Sequence, residues 1–280
     1  MKRSYLSYPV EVTELNPEGH RLIVLLHGFG ASTFSWRTVT GQLATMGHVV
    51  AYDRPGFGFT PLVDRTGGLD PYSLAGQVEL LRKIIDAESK GRPVFVVGHS
   101  AGGLVAAAFA LKYPDALAGL ILASPAIWRK APVPASVAKL LRSPKIEGFG
   151  DSMLKSFDKA GSKMLADSFF DAHNLTPFVL EGYRAPMQQP TWRTSLWRFM
   201  TADQTNDVRE NLGNLKPPVF VITGDSDKIV KVEDTFKVTE RIPGHKIYLV
   251  PNAGHLAHEE RPDDWARVVG NFIERVVPNA

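Results

Sequence analysis

The 280-residue chain contains no cysteine, which removes disulfide frameworks, thiolate metal sites and a cysteine nucleophile at once. No apolar run approaches the roughly 20 residues of a bilayer-spanning helix. The stretch Met1-Lys2-Arg3-Ser4-Tyr5-Leu6-Ser7-Tyr8-Pro9 carries basic residues without the apolar core of a signal peptide. Lys and Arg number 32 against 29 Asp and Glu, a net charge of +3, and the basic residues are scattered, so neither nucleic acid nor a membrane surface is indicated as a partner. These absences predict a soluble, cytoplasmic protein. Cofactors are not implied either: no glycine-rich turn ends in Gly-Lys-Ser/Thr or carries the three-glycine dinucleotide spacing. The segment His255-Leu256-Ala257-His258-Glu259 lacks the His-Glu-x-x-His order, is expected to be a loop before Pro262, and calls for no metal.

Hydrophobic residues at 44% and charged residues at 22% are ordinary for a globular protein, and the length suits one enzyme-sized domain. Short apolar runs alternate with helical patterns, the signature of a mostly parallel sheet flanked by helices. Strands are predicted at 21–27, 48–52, 94–97, 119–123, 219–223 and 246–250, with one or two antiparallel edge strands before residue 21. Helices are predicted over 73–87, where Ser73 is placed to cap, and over 265–277. The alternation breaks over 127–208. That stretch holds Pro132, Pro134, Pro144, Pro177, Pro186 and Pro190 and aromatics including Trp128, Phe149, Phe157, Phe169, Tyr183, Trp192, Trp197 and Phe199. An insertion this long between two strands needs its own packing, so it is read as a helical lid on the sheet's active edge. Most of the aromatics fill its core and a few face a pocket.

The chemistry centres on Gly98-His99-Ser100-Ala101-Gly102, which lies between the apolar run 93–97 and a helical pattern beginning at residue 104. Strand, sharp turn and helix around one serine lift its hydroxyl above the sheet, at the positive end of the helix. Upstream, His27-Gly28-Phe29-Gly30 follows a strand, and its glycines let the Phe29 amide pair with that of Ala101 to hold an oxyanion. A serine needs a histidine to remove its proton, and the histidine needs a carboxylate to fix its tautomer. Gly224-Asp225-Ser226-Asp227 and Asn252-Ala253-Gly254-His255 each follow a strand. Ser100, Asp227 and His255 thus supply serine, acid and histidine in that order, with Asp225 as the competing carboxylate. His99 is expected to point away from the elbow, and His20, His48, His173 and His245 have no evident partner.

With Asp53-Arg54-Pro55-Gly56-Phe57-Gly58 added, this ordered set resembles the α/β-hydrolase superfamily over nearly the whole chain. The resemblance implies residues 1–126 and 209–280 as the core and 127–208 as a helical cap after the sixth strand. It selects Asp227 over Asp225 as the acid and gives the Asp53 loop a structural role. The function expected is a serine hydrolase of small to medium, partly apolar carboxylic esters. Gly28, Trp128, Trp192 and Leu256 are the candidate substrate contacts. A carbon-carbon hydrolase of ring-fission products is the alternative: similar enzymes usually carry Asn before the nucleophile and Trp after the histidine, where this chain has His99 and Leu256. In its favour, Arg184, Arg193 or Arg198 could bind a substrate carboxylate. A cofactor-free haloperoxidase or perhydrolase and a non-catalytic ligand-binding receptor stay open on the same scaffold.

Overall fold

The computed structural model describes residues 1–65, 68–128, 133, 135–143, 146–147, 154 and 157–278, the side chains of 135–136 and 157–160 excepted. Pro132, Pro134, Pro144, Phe149 and the side chain of Phe157 lie outside the described residues. Eight strands form one sheet: β1 (Lys2–Tyr5), β2 (Tyr8–Leu15), β3 (Leu22–Leu26), β4 (His48–Tyr52), β5 (Val94–His99), β6 (Gly119–Ala123), β7 (Val219–Gly224) and β8 (Lys246–Val250). Their spatial order is β1-β2-β4-β3-β5-β6-β7-β8. β1 pairs antiparallel with β2 and β2 with β4, while every pairing from β4 to β8 is parallel. Helices cover both faces, which is why β3 to β7 are buried throughout and read as unbroken apolar runs.

Alternate residues of these strands feed two cores. Val24, Leu26 and Val96 pack with α2 (Leu74–Glu88) and α3 (Ala101–Lys112). Ile23, Leu25 and Val97 pack with Leu43 of the short helix α1 (Thr40–Ala44) and with the C-terminal helix. α2 starts where Ser73 accepts the Gly76 N–H at 3.0 Å, a side-chain cap for an otherwise orphaned donor. Of the predicted boundaries that move, two do so for a clear local reason. β5 runs on through His99 because Gly98 and His99 keep their ladder positions opposite Leu122 and Ala123, although neither continues the apolar run. The C-terminal helix begins at Pro262, not 265, since its first turn is Pro-Asp-Asp, suited to a helix N-terminus but without the apolar signal.

Between β6 and β7 lie α4 (Ala135–Leu141), α5 (Phe157–Asp167), α6 (Pro177–Arg184) and α7 (Trp192–Met200). Leu196, Trp197 and Phe199 of α7 form a small core with Phe57 and Tyr72, and Phe169, Val179 and Tyr183 form another with Ala31 and Leu256. Of the aromatics foreseen there, Phe169, Tyr183, Trp197 and Phe199 are buried in these cores, whereas Phe170 and Phe178 are exposed. α8 (Val208–Asn211) also precedes β7, and α9 (Val232–Thr239), α10 (Ala257–Glu260) and α11 (Pro262–Val276) follow it. α10 corrects the loop expected before Pro262: the segment completes one helical turn, with Glu260 N–H bonded to the Leu256 carbonyl at 3.1 Å. No helix among the described residues is long and apolar enough to cross a membrane.

The chain leaves β3 toward β4 on one side and returns to β5 on the other. Such a reversal opens a crevice at the carboxyl ends of the two strands. The loops after β3 and β5 carry His27 to Gly30 and Ser100.

Candidate active site

Ser100 ends β5 and starts α3 with φ 53° and ψ −118°, a left-handed backbone that non-glycine residues adopt at a cost. The turn is held by Ser100 N–H to the Ala123 carbonyl at 2.9 Å and by the Ser100 carbonyl, which accepts from Gly103 at 2.9 Å and Ala126 at 3.0 Å. Its two glycines are demanded by contact. A Cβ on Gly98 would lie 2.6 Å from the Gly102 carbonyl oxygen, and one on Gly102 would lie 2.5 Å from that of Leu26. α3 therefore packs directly on the end of β3, its N-terminus, the positive end of the helix dipole, beside Ser100.

β7 and β8 deliver the other two groups from adjacent turns. Asp227 Oδ2 receives the N–H of His255 Nδ1 at 2.8 Å, while Oδ1 accepts the amides of Ile229 and Val230, each at 2.9 Å. Both side chains are buried. The carboxylate that aligns the imidazole is thus itself immobilised, leaving Nε2 as the nitrogen that can take a proton. Asp225 is exposed and bonds the Ser226 hydroxyl and the Asn252 amide, away from His255.

Ser100 and His255 line one cavity with Gly28, Phe29, Trp192 and Leu256. Its wall is mostly apolar, through Met164, Leu165, Leu180, Met187, Leu196 and Ile229, with His99, Ser162, Ser168, Tyr183 and Arg184 among the polar residues. Of the four candidate substrate contacts, Gly28, Trp192 and Leu256 are brought there. Trp128 is a correction: it packs against the core on the α2–α3 face, its ring 5.0 Å from the Arg209 guanidinium and 5.2 Å from that of Arg241. Two cations on an indole surface hold it outside the cavity wall.

A model of the alpha/beta hydrolase fold family matches residues 21–262. The chain belongs to that family. The monoacylglycerol lipase abhd6-A of Xenopus laevis is 27% identical over 277 residues, covering 96% of this chain and 80% of the lipase. The 2-hydroxy-6-oxononadienedioate/2-hydroxy-6-oxononatrienedioate hydrolase of Klebsiella pneumoniae is 24% identical over 274 residues, covering 92% and 88%. Among solved structures, a thermophilic esterase from Thermogutta terrifontis superposes with a TM-score of 0.74 at 23% identity, covering 96% of this chain and 94% of that one.

This alpha/beta hydrolase also holds one side chain the sequence placed wrongly and another it did not single out. His99 donates from Nε2 to the His255 carbonyl at 3.0 Å, and its ring lies 4.6 Å from that of His255 and 4.9 Å from that of His258. It therefore supports the histidine loop and lines the cavity rather than pointing away. Burial pushes both neighbours below the usual imidazole value, His258 to about 3, so they stay neutral beside His255. Glu260 is the larger omission. Its buried carboxylate accepts the amides of Gly254 at 2.6 Å, Phe170 at 2.9 Å and Asp171 at 3.0 Å, together with the Asn174 side chain at 3.1 Å. One group ties the loop before His255 to the segment after α5. Its neighbour Glu259 forms an ion pair with Arg37 at 2.6 Å and accepts the Tyr183 hydroxyl.

Glu260→Gln would turn an amide N–H₂ toward groups that can only donate. The expected loss is about 2 to 4 kcal/mol of unfolding free energy, with kcat reduced more than KM is raised. Urea denaturation within about 0.5 kcal/mol of the parent, the level of an ordinary surface change, would contradict it.

Glu14, His48 and Glu88 bring ligand-capable atoms within 4.8 Å of one another. Their donors and acceptors are already matched: Arg3 bonds both carboxylates, Arg92 bonds His48 Nδ1, and His48 Nε2 bonds Glu14. His48 opens β4, so this cluster lies at the opposite end of the parallel strands from Ser100, where it joins β1, β2 and α2.

Proposed function

We propose that the chain is a serine hydrolase that cleaves carboxylic esters of small to medium, partly apolar substrates through an acyl-enzyme. The observation that carries this reading is the buried 2.8 Å pair of Asp227 and His255 opening on the same apolar cavity as Ser100. Ser100 Oγ attacks the ester carbonyl while His255 Nε2 takes its proton. The amides of Phe29 and Ala101 hold the oxyanion, and the leaving alcohol receives the proton from His255. Water then repeats the sequence to release the acid. In this reading 127–208 is the cap and 1–126 with 209–280 the core. The lipase name of the Xenopus laevis relative accords with it.

The name of the Klebsiella pneumoniae relative keeps carbon-carbon cleavage as the second reading. Arg184 favours it, lining the cavity with its guanidinium bonded to Ser162 at 3.1 Å. Arg198 is committed elsewhere, to Glu147 at 2.6 Å and to the Val63 carbonyl at 2.7 Å. kcat/KM for neutral esters of graded acyl length and for a ring-fission dienone, in the parent and in Arg184→Gln, separates the two. The expected result is efficient, chain-length-dependent ester hydrolysis that changes less than about threefold in the variant. Since Arg184 is exposed, a substrate carboxylate held there would lose about tenfold on substitution. Poor turnover of every neutral ester together with arginine-dependent dienone cleavage would overturn the ester reading.

A further inference from the structure

We infer that Arg54 is a positioning residue for the oxyanion site: its buried guanidinium polarises the Gly28–Phe29 peptide, strengthening the Phe29 N–H as a donor to a negatively charged oxygen on the acyl carbon. The inference rests on the hydrolase reading above and deepens it. Its starting point is the Gly28 carbonyl, which accepts from Arg54 Nη2 at 3.1 Å and from His27 Nδ1 at 2.8 Å. The other His27 nitrogen accepts the Arg54 backbone N–H at 3.0 Å, so the ring proton is on Nδ1. In a trans peptide the C=O and the following N–H point in opposite directions, and there are no cis bonds among the described residues. With the Gly28 oxygen turned inward to Arg54 and His27, the Phe29 N–H faces the side of the cavity that Gly28, Phe29 and Ser100 line. The loop is close to the nucleophile: a Cβ built on Gly28 would lie 3.2 Å from that of Ser100.

The charge behind this peptide has no counter-ion among the described residues. Arg54 is 1% exposed, and among the described residues no carboxylate pairs with it. Nη1 donates to the neutral Gln77 Oε1 at 2.6 Å, and the guanidinium lies 5.1 Å from the Phe57 ring centre. The adjacent Asp53 turns its carboxylate to the amides of Thr33 at 2.6 Å and Phe59 at 2.7 Å. His27 and Tyr52 are the other titratable groups against it. Burial lowers Arg54 to about 10, which leaves it a cation at neutral pH. A buried cation without an acid is costly to fold around. Here it lies in low dielectric, one peptide unit from where negative charge develops, and hydrogen bonds in series strengthen one another. When Ser100 Oγ bonds to the carbonyl carbon, the π pair moves to oxygen and the serine proton to His255. The oxygen then binds a donor already polarised toward it.

The test reads the oxyanion itself. An alkyl trifluoromethyl ketone, ¹³C-labelled at its carbonyl, adds to Ser100 as a hemiketal whose hydroxyl titration is followed by ¹³C NMR in the full-length protein. Arg54→Met removes the charge, and Gln77→Glu neutralises it in place with a near-isosteric partner should the first variant not fold. Both are expected to raise the hemiketal pKa by about 1 to 2 units, while Arg54→Lys, which keeps the charge, recovers more than half of the shift. A merely structural role would lower the yield of folded protein without moving the titration of the adduct that forms. An unchanged hemiketal pKa in folded Arg54→Met or Gln77→Glu overturns the inference alone. Failure of the parent to form any adduct overturns the hydrolase reading, and this inference with it.

Discussion

Ser100→Ala is expected to lower turnover by about six orders of magnitude and to abolish labelling by a fluorophosphonate probe, with the fold intact. Phosphonylation reports an activated hydroxyl, because phosphorus is attacked at a useful rate only by a serine whose proton has an acceptor waiting. The fold survives because the elbow is held by backbone bonds from Ser100 to Ala123, Gly103 and Ala126. None of these involves the hydroxyl. The relevant measurements are kcat on the best ester, mass-spectrometric localisation of the probe, and thermal unfolding of both proteins. Equal labelling of the alanine variant would remove the basis of the proposed chemistry.

The second large effect belongs to the proposed acid. Asp227→Asn should lower kcat by about 10⁴ by analogy with protease triads, whereas Asp225→Asn should stay within about threefold. The asparagine amide would present N–H to the His255 nitrogen that must itself donate, so the ring would adopt the tautomer with its proton on the wrong side. Oδ1 could still accept the Ile229 and Val230 amides, so the turn would keep its shape and the loss would be one of chemistry. Asp225 serves an exposed turn, and an amide oxygen there accepts nearly as well. The reverse pattern of kcat values would reassign the acid.

The sheet and the family were legible because their signals are local. An apolar run ending in a glycine turn records a buried parallel strand and the loop beyond its carboxyl end, and five such turns came in order. What escaped are side chains whose partners lie far along the chain. Glu260 meets Phe170 across 90 positions, and His99 meets the His255 carbonyl across 156. No periodicity announces either. Arg54 sat inside a recognised motif, yet the role proposed for it turns on the lack of a paired acid among the described residues, which is a property of the packed interior. Trp128 failed for the converse reason: an aromatic just beyond a strand end reads as pocket lining, while the arginines that claim it lie near residues 209 and 241. α10 was missed because one turn, polar at Glu259 and Glu260, falls below the length at which a helical period can be seen.

The carboxylate of Glu260 sets a rule for grafting. Exchange of the proposed cap, 127–208, between relatives is an obvious way to test which substrates it admits, but the strip at Ser168 to Asn174 does not belong with the part to be exchanged. Phe170, Asp171 and Asn174 provide donors to the carboxylate that also holds the Gly254 amide, and the Ser168 carbonyl accepts the Leu256 N–H at 3.3 Å. A transplant that discarded this strip would leave an anion in the interior with one amide where there were several donors, next to His255. The seam for a chimera therefore runs on the far side of residue 174, and the strip travels with the histidine loop.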